Sequence, residues 1–284
     1  MSENNVALSS FTLQNDYNDH IFGEIRYRVD VVNQPAVIIC HSFMAFKNWG
    51  FFPYLASKIA ESGFVVITFN FSLNGVVGDG KKITDFAKFE QNTFSRELHD
   101  LKIVTDAVLR SEFGIQVLDT HRLALLGHSR GGGISIVYAS TDDRVTALTT
   151  WSSISTFDRW TNHQKEKWRI LGYLPLAKDV SVSPLKLGLG LLHDVEGHQK
   201  KIDIQYAAGL LRVPWLILHG KADVTVPSRE AETLFEASNK STTELMLLDH
   251  VGHLYNAASY EENQYQTLNH LISITTHWLQ SRLT

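Results

Sequence analysis

The sequence predicts an α/β protein built on a doubly wound, mostly parallel sheet, with antiparallel strands at its N-terminal edge and a helical cap inserted late in the chain. Three observations carry that prediction. Short apolar runs alternate with longer stretches of helical period. One apolar run breaks into a serine surrounded by four glycines, "LALLGHSRGGGIS", Leu123 to Ser135. The alternation then stops from Ser153 to Arg212, about 60 residues, far longer than an ordinary connection.

Near the start, "ALSSFTLQ" and "GEIRYRVD" alternate apolar with polar residues, as antiparallel strands with one wet face do, and form an edge hairpin. Six runs then read as strands covered on both faces: Ala36 to His41, Phe64 to Phe71, Arg122 to His128, Val145 to Ser152, Val213 to Gly220 and Glu244 to His250. Between the first two, Trp49 to Ser62 places Phe52, Leu55, Ala56 and Ile59 at helical spacing. Thr93 to Ser111 does the same with Phe94, Leu98, Leu101, Val104 and Val108. Strand followed by helix followed by strand implies right-handed crossovers and a parallel sheet. The Ser153 to Arg212 segment holds Trp160, Trp168 and Tyr173, two Pro-containing turns, "LPLAKD" and "SPLKLG", and weak helical periods. Aromatic content of this kind argues against disorder, so the segment is expected to cap one end of the sheet. No internal repeat appears, and a single domain spanning residues 1–284 accounts for the chain.

Composition narrows the function classes. With 284 residues and 44% hydrophobic content, the chain can bury a large core. Lys and Arg total 26 against 30 Asp and Glu, and no basic run exceeds Lys81–Lys82 or Lys200–Lys201, so no nucleic-acid partner is expected. The single cysteine, Cys40, cannot form an internal disulfide. "MSENNVALSS" lacks the basic start and apolar run of a signal peptide, and no stretch of about 18 apolar residues follows. The expectation is a cytoplasmic protein with no membrane span; a homodimer is compatible with the sequence but not required by it.

The glycines explain themselves if Leu123 to Gly127 is a strand and a helix begins beyond Ser129. So tight a turn brings the residues two before and two after the serine together, and only small side chains fit there; Gly127 and Gly131 hold those places. The turn displays one hydroxyl at the carboxyl end of a central strand and at a helix N-terminus. The pattern is not a dinucleotide fingerprint, since GxGxxG is absent, and no Walker lysine follows. A serine hydroxyl needs a base and an orienting acid. In this architecture they follow in the order acid, then histidine. "LILHGKADVTVP" supplies Asp223 after one strand and "LLDHVGHLY" supplies His253 after the last. His250 competes with His253, which is preferred because Gly252 frees its loop; Asp249 and Asp203 are rival acids, read as a turn cap and a cap-segment residue.

An oxyanion formed at Ser129 requires preorganised donors. The backbone N–H of Arg130 is the first, and the N–H of Phe43 is the second, with Met44 as runner-up. His41 is expected to brace that loop, and the Arg130 side chain to anchor the turn to a carboxylate. The substrate pocket is assigned to Phe43, Met44, Phe46, Trp49, Trp151, Trp160 and Trp168. No metal or cofactor is expected: His193 and His198 stand five apart with no Cys or carboxylate cluster to complete a ligand set.

Through "CHSF", "GHSRGG", "HGKADVTVP" and "GHLY" the chain resembles the α/β-hydrolases from about Glu24 to its C-terminus. Within them it is similar to the carboxylesterase and dienelactone-hydrolase-like group, related to the catalytic domains of prolyl oligopeptidases. The resemblance implies an α/β-hydrolase fold with Ser129 as nucleophile, Asp223 as orienting acid and His253 as general base. Where that family commonly shows His-Gly before the oxyanion residue, this sequence has His41-Ser42. The expected activity is hydrolysis of a small-molecule carboxylic ester through an acyl-enzyme. The alternatives are a peptidase or acyl-thioesterase on the same triad, or a non-catalytic ligand-binding member of the fold.

Overall fold

A computed structural model describes residues 5–177, 184–257 and 265–283. Its main sheet has eight strands in the order β1-β2-β4-β3-β5-β6-β9-β10. At one edge, β1 (Val6–Gln14) and β2 (His20–Arg28) pair antiparallel, and β2 pairs antiparallel with β4 (Val65–Phe69). All remaining pairs are parallel, linking β3 (Gln34–Cys40), β5 (Leu118–His128), β6 (Ala147–Trp151), β9 (Trp215–Gly220) and β10 (Thr243–Leu248). The six parallel-type runs of the sequence are these strands and β4.

Both faces are covered, which is why the central strands are apolar throughout. Along β3, Ala36, Ile38 and Cys40 enter one core and Val37 and Ile39 the other. The first core is closed by α3 (Phe94–Leu109), α4 (Arg130–Ala139), α7 (Ile204–Leu210) and α8 (Arg229–Ala237). The second is closed by α1 (Phe52–Glu61) and α9 (Gln266–Arg282). Because parallel strands all end at one edge, their following loops converge there. Among the described residues no helix is long and apolar enough to cross a membrane.

Residues 153–212 differ from a purely helical expectation. They hold α5 (Asn162–Leu171), α6 (Leu189–Gly197) and α7, but also a small antiparallel sheet of β7 (Tyr173–Pro175) and β8 (Lys186–Gly188). The two Pro-containing stretches thus supply strands; Lys178, Asp179 and Ser183 lie outside the described residues. The start of α5 is fixed by a capping box between Thr161 and Gln164, and its end by Gly172 at φ 76°. Trp168, Leu187, Leu191, Leu192 and Val195 join the core that α3 and α4 share, beside Phe89 of α2 (Phe86–Gln91).

Candidate active site

Ser129 sits between the last residue of β5 and the first of α4 with φ 56° and ψ −119°, a left-handed conformation that costs an L-residue free energy. Neighbouring glycines make it attainable. A Cβ on Gly127 would stand 2.4 Å from Gly131 O, and one on Gly131 would stand 2.3 Å from Cys40 O. Both collisions are with backbone, so nothing can move aside. The turn is held by Ser129 N–H donating to Trp151 O at 2.9 Å and by Ser129 O accepting from Gly132 N at 3.0 Å.

Asp223 follows β9 and His253 follows β10, so both reach the edge where Ser129 stands. His253 Nδ1 lies 2.7 Å from Asp223 Oδ2 and its Nε2 lies 3.1 Å from Ser129 Oγ. Asp223 Oδ1 accepts from the N–H groups of Thr225 (2.9 Å) and Val226 (2.8 Å). Burial by itself would raise the Asp223 carboxyl. Hydrogen bonds from His219, His253 and the Val226 N–H outweigh it and hold the group well below the usual carboxylate range.

The rivals are placed elsewhere. His250 is exposed, and it makes the turn after β10 at φ 60°; the backbone freedom expected at Gly252 is used there instead. Asp249 pairs with Lys221 at 2.8 Å, and Asp203 caps α7 by accepting from Tyr206 N. His128, directly before the serine, was not singled out from the sequence. It is wholly buried, its Nε2–H donates to His253 O at 3.1 Å, and burial pulls it down to about 3, so it is a neutral brace.

The loop after β3 carries Ser42 and Phe43 to the same place. His41 Nδ1–H donates to Ser42 O at 2.9 Å and its Nε2 accepts from Phe71 N at 3.3 Å. Burial lowers His41 to about 4, against the opposing bond to Ser42 O. The Arg130 side chain meets Glu97 with Nε and Nη2 each 2.9 Å from a carboxylate oxygen, between the rings of Phe43 and Phe94.

A cavity of about 470 Å³ opens over Ser129 and His253. Of the residues assigned to it from sequence, Phe43, Trp49 and Trp160 line it and four others do not. Met44 turns outward at φ 58° and is 44% exposed. Phe46 is buried away from the lining. Trp151 falls on the α1 and α9 face, where its Nε1–H donates to Thr275 Oγ1. Trp168 is buried behind Trp160, their rings 5.0 Å apart and T-shaped. The wall is completed by Phe94, Ile154, Phe157, Leu176, Leu187 and Leu254, none picked out from sequence. Phe94 carried a signal as a core position of α3; the other five sit in stretches whose period is weak. Among the described residues no group of three or more His, Cys, Asp or Glu is placed to hold a metal ion, and His198 lies 3.0 Å from Asp194.

Comparison with known proteins agrees with the architecture. Residues 35–175 match the family model described as the alpha/beta hydrolase fold. An uncharacterized 31.7 kDa protein from the traX-finO intergenic region of Escherichia coli is 22% identical over 289 residues, spanning 89% of this chain and 92% of that one. The esterase domain of a Rhodothermus marinus protein superposes with a TM-score of 0.64 at 16% identity, over 98% of this chain and 100% of that one. An α/β hydrolase from Penicillium sp. sh18 reaches a TM-score of 0.73 at 15% identity, over 98% and 99%.

Proposed function

We propose that this chain, which belongs to the α/β hydrolase superfamily, is a serine hydrolase that cleaves small-molecule carboxylic esters through an acyl-enzyme. One observation carries the reading: an unbroken line of hydrogen bonds from Asp223 through His253 to the Ser129 hydroxyl, at the floor of a largely apolar cavity.

Ser129 Oγ attacks the acyl carbon while His253 Nε2 takes its proton. The carbonyl electrons collect on oxygen, held by the N–H groups of Arg130 and Phe43. His253 then gives its proton to the departing alcohol as the C–O bond breaks, leaving the acyl group on Ser129. Water then attacks the acyl carbon while His253 Nε2 takes its proton, and His253 returns that proton to Ser129 Oγ as the acyl–Oγ bond breaks, releasing the acid and restoring the free serine. Asp223 fixes the imidazole tautomer and stabilises the imidazolium. Engaged with Glu97, the Arg130 side chain takes no part; its backbone N–H does. Residues 153–212 serve as the cap, presenting Phe157, Trp160 and Leu187 to the acyl group.

The test is a panel of p-nitrophenyl esters with varied acyl length, run beside peptide and thioester substrates. The expected result is ester turnover lost in Ser129→Ala, with a fluorophosphonate probe bonded to Ser129. No turnover and no labelling would overturn it.

A further inference from the structure

Asp223 is approached by two imidazoles, and only one of them faces the serine. His219 lies in β9, four residues before the acid, and the side chains of both are 0% exposed. Its Nε2 is 2.8 Å from Val226 O and 3.4 Å from Asp223 Oδ2. A carbonyl oxygen can only accept, so Nε2 carries the hydrogen. Nδ1 is buried with no acceptor in reach among the described residues, which leaves the Nε2–H tautomer. That one N–H is directed to the Val226 carbonyl and stands 3.4 Å from the carboxylate oxygen that His253 engages at 2.7 Å.

We propose that His219 is a positioning residue of the triad: its Nε2–H fastens the acid-bearing loop to β9 and shares the charge on Asp223 Oδ2, setting how strongly that oxygen holds His253. This rests on the serine-esterase reading above. Geometry supports it twice. The loop from Asp223 to Val226 is closed from within by the Thr225 and Val226 N–H groups, and His219 is the side chain of β9 that joins both Val226 O and the carboxylate. His219 is itself absent from the cavity wall, so it acts on the reaction through the Asp223-to-Val226 loop that it holds.

The sign follows from charge. Without the His219 N–H, the Asp223 carboxylate holds more of its charge toward His253, stabilises the imidazolium more, and His253 takes up its proton at higher pH. The other titratable groups facing this set are His128 at the end of β5, its ring 4.8 Å from that of His253, and Tyr255 in the loop beyond β10. Burial lowers His128 to about 3 and raises Tyr255 well above its ordinary value, so neither changes charge in the range scanned.

The experiment is a pH–rate profile for p-nitrophenyl butyrate hydrolysis by the unaltered chain, His219→Gln and His219→Phe. Glutamine keeps an N–H near the Nε2 position; phenylalanine keeps the ring and loses the donor. In His219→Phe, kcat is expected to fall roughly tenfold to a hundredfold, the scale seen when the outer hydrogen-bond partners of metal-ligating histidines are removed. KM stays unchanged, the acid limb moves to higher pH, and His219→Gln restores most of both. If His219→Phe does not fold, His219→Asn, whose shorter amide falls short of the carboxylate, takes its place. A folded donor-less variant with unchanged kcat and acid limb would overturn the proposal, as would a lower kcat that glutamine does not restore and that leaves the limb in place. Either result with Ser129-dependent turnover intact leaves the esterase reading standing. Absence of such turnover in the unaltered chain overturns both.

Discussion

The turn at Ser129 and the segment from 153 to 212 meet across one cavity, yet they are held by different means. At the turn, backbone lies against backbone: a Cβ on Gly131 would stand 2.3 Å from Cys40 O and 2.5 Å from His41 O. In the segment, side chain lies against side chain: Trp160 on Trp168, Phe157 stacked on Phe94 at 4.0 Å, and Ile154 and Ile204 on α4. Backbone contacts admit one residue type, whereas side-chain contacts admit many of similar volume. The first region therefore tolerates little substitution, and the second can vary while keeping its volume.

The largest test of that contrast removes the chemistry and leaves the turn. Ser129→Ala keeps every backbone contact, so the fold should stay intact while ester turnover falls by roughly four to six orders of magnitude. His253→Ala should do nearly as much, and the double variant little more, because a nucleophile and its base act as a unit. Exposed and without a place on the cavity lining, His250 should tolerate alanine with most activity retained. Turnover measured for the four variants decides the assignment: loss in His250→Ala with His253→Ala spared would reverse it.

Next in size is the backbone itself. Gly131→Ala drives a methyl into two carbonyl oxygens at the end of β3 and should cost about 3 kcal/mol in urea unfolding. Gly133→Ala, two residues on, meets side-chain ends from the other region: Ile204 Cδ1 at 2.6 Å, Ile154 Cγ1 at 3.2 Å and Phe157 Cε1 at 3.2 Å. These can shift, so the cost should be about 1 kcal/mol. Equal costs at both positions would erase the distinction between the regions.

The same distinction governs what was legible in the sequence. Gly127 and Gly131 announced themselves because a Cβ at either would meet backbone, which drew attention to Ser129 between them, and Asp223 and His253 stood out because each lies in the loop after a parallel strand at a shared edge. Trp151 was misplaced for a physical reason: every residue of β6 is buried, so alternation says nothing about which face a side chain takes. Trp160 and Trp168 looked alike in sequence; only packing puts one on the wall and the other behind it. Three-residue strands such as β7 and β8 are too short to show a period. His219 read as one more residue of an apolar strand, since its partners lie in the loop that follows.

Acid should separate the regions further. His41 and His128 brace the Ser129 side and are lowered to about 4 and about 3 by burial, so both are neutral in the folded chain. Unfolding restores the ordinary value of about 6.5 and each then takes up a proton. Their contribution is therefore present above about pH 6.5 and is lost as pH falls toward the folded values, at about 1.4 kcal/mol per pH unit for each histidine. Asp223, held low, adds to the loss only below its unfolded value of about 3.9. The segment's His163, His193 and His198 are exposed. Urea midpoints between pH 7 and pH 5 measure the loss, and a flat profile would contradict the neutral-brace assignment.

The smallest expected effect is the most specific to the cap. Trp160 lines the cavity and is half-buried, while Trp168 is fully buried behind it. Trp160→Ala should lengthen the pocket, raising kcat/KM for octanoyl over butyryl esters by about tenfold, the lower end of what one methylene in an apolar pocket is worth. Trp168→Ala should act on stability instead, at about 3 kcal/mol for a buried indole, with the ester preference little changed. The pair tests whether residues 153–212 set acyl length by their wall and hold that wall up by their core. A chain-length preference that moves with Trp168 and not with Trp160 would mean that the cap acts by its position over the cavity rather than by the side chain facing the acyl group.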